Sequence, residues 1–242
     1  MVERYLPLPD LPPWLEGFVT TRGDAHDDGR YGFNLALHVD DHAPRVERHR
    51  QELCATWGLR GVQWLEQVHG ARVVSVDAVA PEHYTADGLC TAIPGVALGI
   101  LTADCVPIVL WREDVPRVAA VHAGWQGLVA GVIAAAVEAL GAGPIRAVIA
   151  PCISAARYEV GAAVWERFAT HADVLREHPD DPAKRLLDLR AVAASQMAAL
   201  GIESAAMPQC SYDDPRLYSH RRATHEGTVP CGRFATVVYL RE

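Results

Sequence analysis

Residues 101–111 read "LTADCVPIVLW". A run this apolar is a buried strand by composition, yet Asp104, Cys105 and Pro107 interrupt it with an acid, a thiol and a proline. A buried carboxylate is costly unless something pairs with it, and proline brings no N–H to a sheet. The stretch therefore divides into two strand-like runs, "VALGILTAD" (96–104) and "VPIVLW" (106–111), with acid and thiol where they meet. The run that follows, "RVAAVHAG" (117–124), carries His122 near its end, and an earlier one, "VQWLEQVH" (62–69), ends on His69.

Working outward, "ARVVSV" (71–76), "IRAVIAPCI" (145–153) and "FATVVYL" (234–240) read as further strands, and "GFVTTRGD" (17–24) as a strand running into a turn. Helical spacing appears in "APRVERHRQELCATWGL" (43–59), with Pro44 near its start. The alanine-rich "WQGLVAGVIAAAVEALGAG" (125–143) is expected to be one helix that glycines terminate. Residues 162–175 and 186–201 have helical spacing too, and "REHPDDPAKR" (176–185) between them reads as a solvated charged loop. Strands alternating with helices make a mixed α/β chain. With no short repeat and no low-complexity linker, residues 1–242 are expected to form a single domain.

The 242 residues are half apolar, enough for one large core, and carry a formal charge of −8. That balance argues against a nucleic-acid partner, which needs clustered Lys and Arg to displace counterions from phosphates. Cys54, Cys90, Cys105, Cys152, Cys210 and Cys231 lack CxxC spacing, so neither a disulfide scaffold nor a zinc ribbon is indicated. Reduced thiols in a cytosol fit better. The N-terminal "MVERYLPLPDLPPW" lacks the apolar core of a signal peptide. No run reaches the roughly 18 apolar residues that span a bilayer. The expectation is a cytoplasmic protein with no membrane partner, and the sequence sets no oligomeric state.

His69, Cys105 and His122 are candidate metal ligands. Strand ends project side chains from a rigid sheet, and Gly70 and Gly124 let the backbone turn close to a bound group. Two imidazoles and a thiolate suit Zn²⁺, and three protein ligands leave a fourth position open, as in a catalytic site. Two other readings stand beside this one. Cys105 in an apolar run is a small buried hydrophobe, or it is the nucleophile of a metal-free cysteine hydrolase with His122 as base.

The segments "LTADCVPIVLW", "VHAGWQGLVAGVI", "IAPCISAARYEVG" and "CGRFATVVYL", with "GFVTTRG", "YGFNLALHVDD" and "EQVHGARV" before them, resemble the laccase-domain family, also called multicopper polyphenol oxidase or YfiH-like proteins. The resemblance implies a mixed α/β (α+β) YfiH-like fold of layered β-sheets flanked by helices. It also implies a zinc site at the positions matching His69, Cys105 and His122. Copper is disfavoured: a multicopper site needs paired HxH segments and a cysteine flanked by histidines, and the eleven histidines form neither. The implied activity is phosphorolysis of adenosine, inosine and methylthioadenosine, with adenosine deamination at the same site, so the partners are a small nucleoside and phosphate. Bacterial members are also linked to peptidoglycan editing by hydrolysis of a muropeptide precursor.

Asp104, beside Cys105, is a candidate for proton handling or for orienting a ligating histidine. Arg22, Arg50, Arg221 and Arg222 lie in family-matching segments and are either anion clamps or ordinary surface residues. Asn34 and Gln67 are polar groups inside apolar segments, which either contact substrate or satisfy backbone groups. Trp125 either stacks on a purine or packs at a helix start, and Cys152 reads as core. The chain departs from the family at His49, where asparagine is usual, and in "SHRRATHEGTVPCGR", where His220 replaces an aromatic and extra residues intervene. The rim of the pocket is expected to differ accordingly.

Overall fold

A computed structural model of the chain describes residues 4–23, 30–170 and 172–242. The strand expected over 17–24 is β2 (Leu15–Thr20), and its Asp24 lies outside the described residues.

One sheet has the order β1 (Tyr5–Pro7), β2, β16 (Phe234–Leu240), β8 (Ala97–Thr102) and β3 (Val62–Gln63). A second runs β15 (Glu203–Ala206), β11 (Ile145–Ile149), β9 (Val106–Arg112), β10 (Val118–Ala123), β7 (Gly88–Thr91) and β5 (Val73–Ser75). Two small sheets join β12 (Glu159–Val160), β14 (Arg185–Leu187) and β13 (Leu175–Glu177), and β4 (Leu65–Glu66) with β6 (Tyr84–Thr85).

Alternate side chains of a strand face opposite sides of its sheet. In β9, Val109 and Trp111 pack toward the first sheet, while Ile108 and Leu110 pack toward α3 (Val132–Leu140) and α5 (Leu189–Ala199). In β8, Leu98 and Ile100 join that inter-sheet core, while Ala97 and Leu101 lie with Leu53 of α1 (Ala43–Trp57). The order helix, sheet, sheet, helix therefore makes a layered mixed α/β fold. Antiparallel sheets often leave one face to water. Here both faces of the central strands are covered, so they read apolar at nearly every position.

The expected helix over 125–143 is two helices. Gly131, at φ 86°, takes the left-handed conformation, donates to Leu128 O and closes α2 (Trp125–Ala130) before α3 begins. The expected helix over 162–175 shrinks to α4 (Ala162–Trp165) with 3₁₀ turns behind it, and His171 lies outside the described residues. The expected charged loop over 176–185 carries strand pairing at both ends, because Leu175 and Leu187 anchor β13 and β14 against the helix-side core. No described helix is long and apolar enough to cross a membrane.

Candidate metal centre

The second sheet and the turns around it bring His69, Cys105 and His122 together. One ligand atom from each lies within 4.8 Å of the others, the group of this kind found among the described residues. Cys105 Sγ stands 4.0 Å from His69 Nε2, and the two imidazole centroids are 4.7 Å apart. Two residues, on separate turns at this site, hold backbone angles that non-glycine residues seldom adopt: His69 at φ 60° and Asp104 at φ 100°. Asp104's conformation swings the chain from β8 into β9 and sets Cys105 at the bend. Gly124 leaves space that a side chain would take, since a Cβ there would sit 3.0 Å from His69 Cδ2 and 3.1 Å from Cys105 Sγ.

Asp87, fully buried ahead of β7, organises the histidines. Its carboxylate accepts the successive N–H groups of Val68 (3.2 Å), His69 (2.9 Å) and Gly70 (2.6 Å), and the left-handed His69 is what aims all three inward. The same carboxylate lies 2.9 Å from His122 Nδ1, and the Asp87 carbonyl accepts His122 N–H at 2.7 Å. With Nδ1 engaged, Nε2 of His122 is left as the donor atom, the arrangement common for a metal-bound imidazole. Burial pushes the Asp87 carboxyl up, but His122 and the backbone donors outweigh it and hold the group below its ordinary value.

The electrostatics favour a charged pair. Burial would raise the Cys105 thiol, but His122 and His69 draw it down to about 6. Burial would lower His122, but Cys105 and Asp87 raise it to about 9. Tyr158 faces the same site: burial and the charges of Cys105 and Asp104 push its hydroxyl far up, with Arg221 opposing, so it stays protonated.

Several sequence candidates have other duties. Asp104, 7 % exposed, accepts Ser211 Oγ–H at 2.7 Å and the N–H of Arg221 at 2.7 Å, so it fastens α6 (His220–His225) to the turn. It bonds neither histidine. The carboxylate that orients a ligating histidine is Asp87 rather than Asp104, of which that role was expected. Gln67 donates to Leu101 O (2.8 Å) and accepts Leu101 N–H (2.9 Å), so its amide stands in for a strand residue and ties the His69 turn to β8. Asn34 is saturated by Ala36, Asp41 and Arg233. Arg222 spends its guanidinium on the carbonyls of Ser211, Tyr212, Asp214 and Leu217. These polar groups satisfy the protein's own interior.

Arg22 lies over the Tyr218 ring at 5.5 Å and lines a hollow with Arg30 and Arg222, apart from the three donors. Arg50 stands over Trp64 at 4.9 Å in a cleft of about 870 Å³. That cleft also reaches Leu101, three residues before the Asp104 turn. Trp125 packs with the helix-side core. Cys152 is fully buried, and burial lifts its thiol to about 11.

The donor set fits a metal on its own chemistry: two nitrogens and one sulfur converge, the sulfur inclines to thiolate, and a carboxylate orients one imidazole. It does not extend to a three-copper cluster, which needs many more histidines than the two that converge here among the described residues.

Fold and site together define a layered α/β protein with a His–Cys–His donor triad at the turns of its second sheet. Residues 16–241 match the family model described as multi-copper polyphenol oxidoreductase laccase. The chain belongs to that family. It is 40 % identical over 219 residues to a purine nucleoside phosphorylase of Mycobacterium tuberculosis, covering 86 % of this chain and 84 % of that one. A purine nucleoside phosphorylase of Pseudomonas aeruginosa is 35 % identical over 239 residues, covering 96 % of both chains. Among solved structures, a Neisseria meningitidis protein superposes with a TM-score of 0.89 at 29 % identity, covering 99 % of this chain and all of that one.

Proposed function

We propose that the protein is a zinc-dependent purine nucleoside phosphorylase acting on adenosine, inosine and methylthioadenosine, with adenosine deamination at the same site. The observation that carries this reading is the His69–Cys105–His122 convergence under Asp87, in a chain whose relatives are purine nucleoside phosphorylases. In phosphorolysis a phosphate oxygen bonds to C1′ of the ribose as the C1′–N9 bond breaks, and the departing purine takes up a proton. In deamination, water replaces the amine of adenosine. Bound at the triad, Zn²⁺ would supply Lewis acidity toward the substrate. Asp87 fixes the ring and tautomer of His122, Gly124 keeps the space over the triad clear, and the protonated Tyr158 offers a hydroxyl donor.

The test is turnover of the three nucleosides with and without phosphate, before and after chelation. Ribose 1-phosphate and free base should appear only with both metal and phosphate present. Undiminished turnover in rigorously metal-free protein would remove the zinc reading. One observation favours a second reading, a metal-free cysteine hydrolase: Cys105, His122 and Asp87 are aligned as thiolate, imidazolium and carboxylate. That reading requires rapid covalent labelling of Cys105 without any chelator, whereas a metal-held sulfur reacts slowly until the metal is removed.

A further inference from the structure

We propose that Cys152 and Cys210 are a dithiol pair that closes to a reversible disulfide under oxidation, in the wall that holds the Asp104 turn.

Strand pairing brings the two together. β11 and β15 run parallel, and past their ends, after one extra residue on the β15 side, the pairing resumes as a parallel β-bridge whose direct partners are Cys152 and Cys210. Ser211 N–H, on Cys152 O at 3.0 Å, fixes that register. Neighbouring strands run about 4.8 Å apart, inside the span of about 4.4–6.8 Å between Cα atoms that a disulfide bridges. The Cys210 thiol is turned toward the Cys152 segment: its Sγ accepts Ser154 N–H at 3.3 Å and donates to Ser154 Oγ at 3.2 Å, two residues beyond Cys152. Closing the bond therefore needs no change of register, only release of Cys210 from Ser154. All six cysteines are free in the structure, so the pair is described in its reduced form.

The two thiols differ as an attacking and a resolving thiol do. Cys210 is partly exposed, whereas Cys152 is fully buried, and burial lifts its thiol to about 11. Arg190 of α5 is the charge that most opposes burial at Cys152. Its Nη2 donates to Gln209 O at 3.0 Å, beside Cys210, and its buried Nε has no hydrogen-bond partner among the described residues. A guanidinium so placed favours the Cys152 thiolate. In the first step the Cys210 sulfur attacks a low-molecular-weight disulfide, forming a mixed disulfide and releasing one small thiol. Cys152 then gives up its proton, and its sulfur attacks Cys210 Sγ and expels the second small thiol. Two protein thiols are oxidised as one small disulfide is reduced to two thiols. The residue after each cysteine bonds Asp104: Ile153 N–H its carbonyl at 3.0 Å, Ser211 Oγ–H its carboxylate at 2.7 Å. The disulfide thus ties together the two segments that hold the turn before Cys105.

The test is incubation of the protein as purified with oxidised glutathione, then blocking of free thiols and peptide mass mapping without reductant. We expect a linked fraction about 2 Da lighter, a peptide joining Cys152 to Cys210, and full reversal by dithiothreitol. Cys210→Ser keeps a hydroxyl for Ser154 and should lower the linked fraction at least about tenfold, while Cys54→Ser, in α1, should leave it within about twofold. Because the bond restricts the unfolded chain, oxidation should widen the melting-temperature difference between the unsubstituted protein and Cys210→Ser by at least about 3 °C. No link, pairing of Cys210 with another cysteine, or a mixed disulfide that stays on Cys210 without closing would overturn the proposal. So would a linked protein whose melting-temperature difference is unchanged or reversed, which would mark a bond forced on distorted geometry. Neither readout involves nucleoside turnover, so the pair stands or falls apart from the phosphorylase reading.

Discussion

The tripeptide Thr-Ala-Asp occurs at 85–87 and again at 102–104, and the two copies do opposite things. The first ends at the head of β7 and turns Asp87 inward, where the carboxylate gathers three amides of the ligand turn and one ligating imidazole. The second ends past β8, where the Asp104 carboxylate holds Ser211 and the first turn of α6. Identical local chemistry, with both aspartates buried, thus divides into support for the triad and support for the wall beside it. What separates them is strand direction: one acid precedes a strand that pairs with β10, the other follows a strand of the opposite sheet.

The contrast can be broken by substitution. Cys105→Ala, which removes the donor beside the second copy, should lower bound zinc from about one per chain to under about a tenth, read by metal analysis of purified protein. Asp87→Asn should weaken metal affinity about 10–100-fold in chelator competition, while Asp104→Asn should leave it within about threefold; equal losses would erase the division. In metal-free protein, alkylation of Cys105 should be half-maximal near about 6, slowing below that pH as the sulfur takes up its proton. An ordinary thiol would titrate near about 8.5. Asp87→Asn removes support for the His122 imidazolium and should move that midpoint upward; Asp104→Asn should not move it.

Asp104→Asn should appear instead in stability, with a loss of about 1–3 kcal/mol in denaturant unfolding as buried donors lose their charged acceptor. Ser211→Ala, which removes one of those donors, should cost about 1 kcal/mol. A larger cost for the serine than for the aspartate would contradict the assignment of Asp104 as the anchor.

The apolar runs made the central strands legible, because burial on both faces leaves little else for their composition to mean. The donor triad was legible because histidine and cysteine at strand ends are chemically conspicuous. Asp87 was not, since its role depends on the left-handed turn at His69, which no local pattern announces. Gln67, Asn34 and Arg222 look like substrate ligands in the sequence, but their polar atoms are taken up by groups of the protein itself, which only the folded chain brings within reach. The break at Gly131 was written in the sequence as a glycine, but alanines on either side disguised it. Residues 176–185 read as loop because charge dominates their composition, while Leu175 and Leu187, just outside, set the pairing.

One feature of the first sheet bears on how the chain is made. β16, the last described strand, lies between β2 and β8 and pairs with both. During synthesis the amino-terminal β1–β2 hairpin and the β8 edge therefore emerge with open hydrogen-bonding rims that await a segment translated much later. At about 5–20 residues per second the delay lasts many seconds. Unpaired apolar edges recruit neighbouring chains. Crowded polysomes should thus be where this protein is most exposed to misassembly, and shielding of the nascent chain should matter more to its yield than the stability of the finished fold.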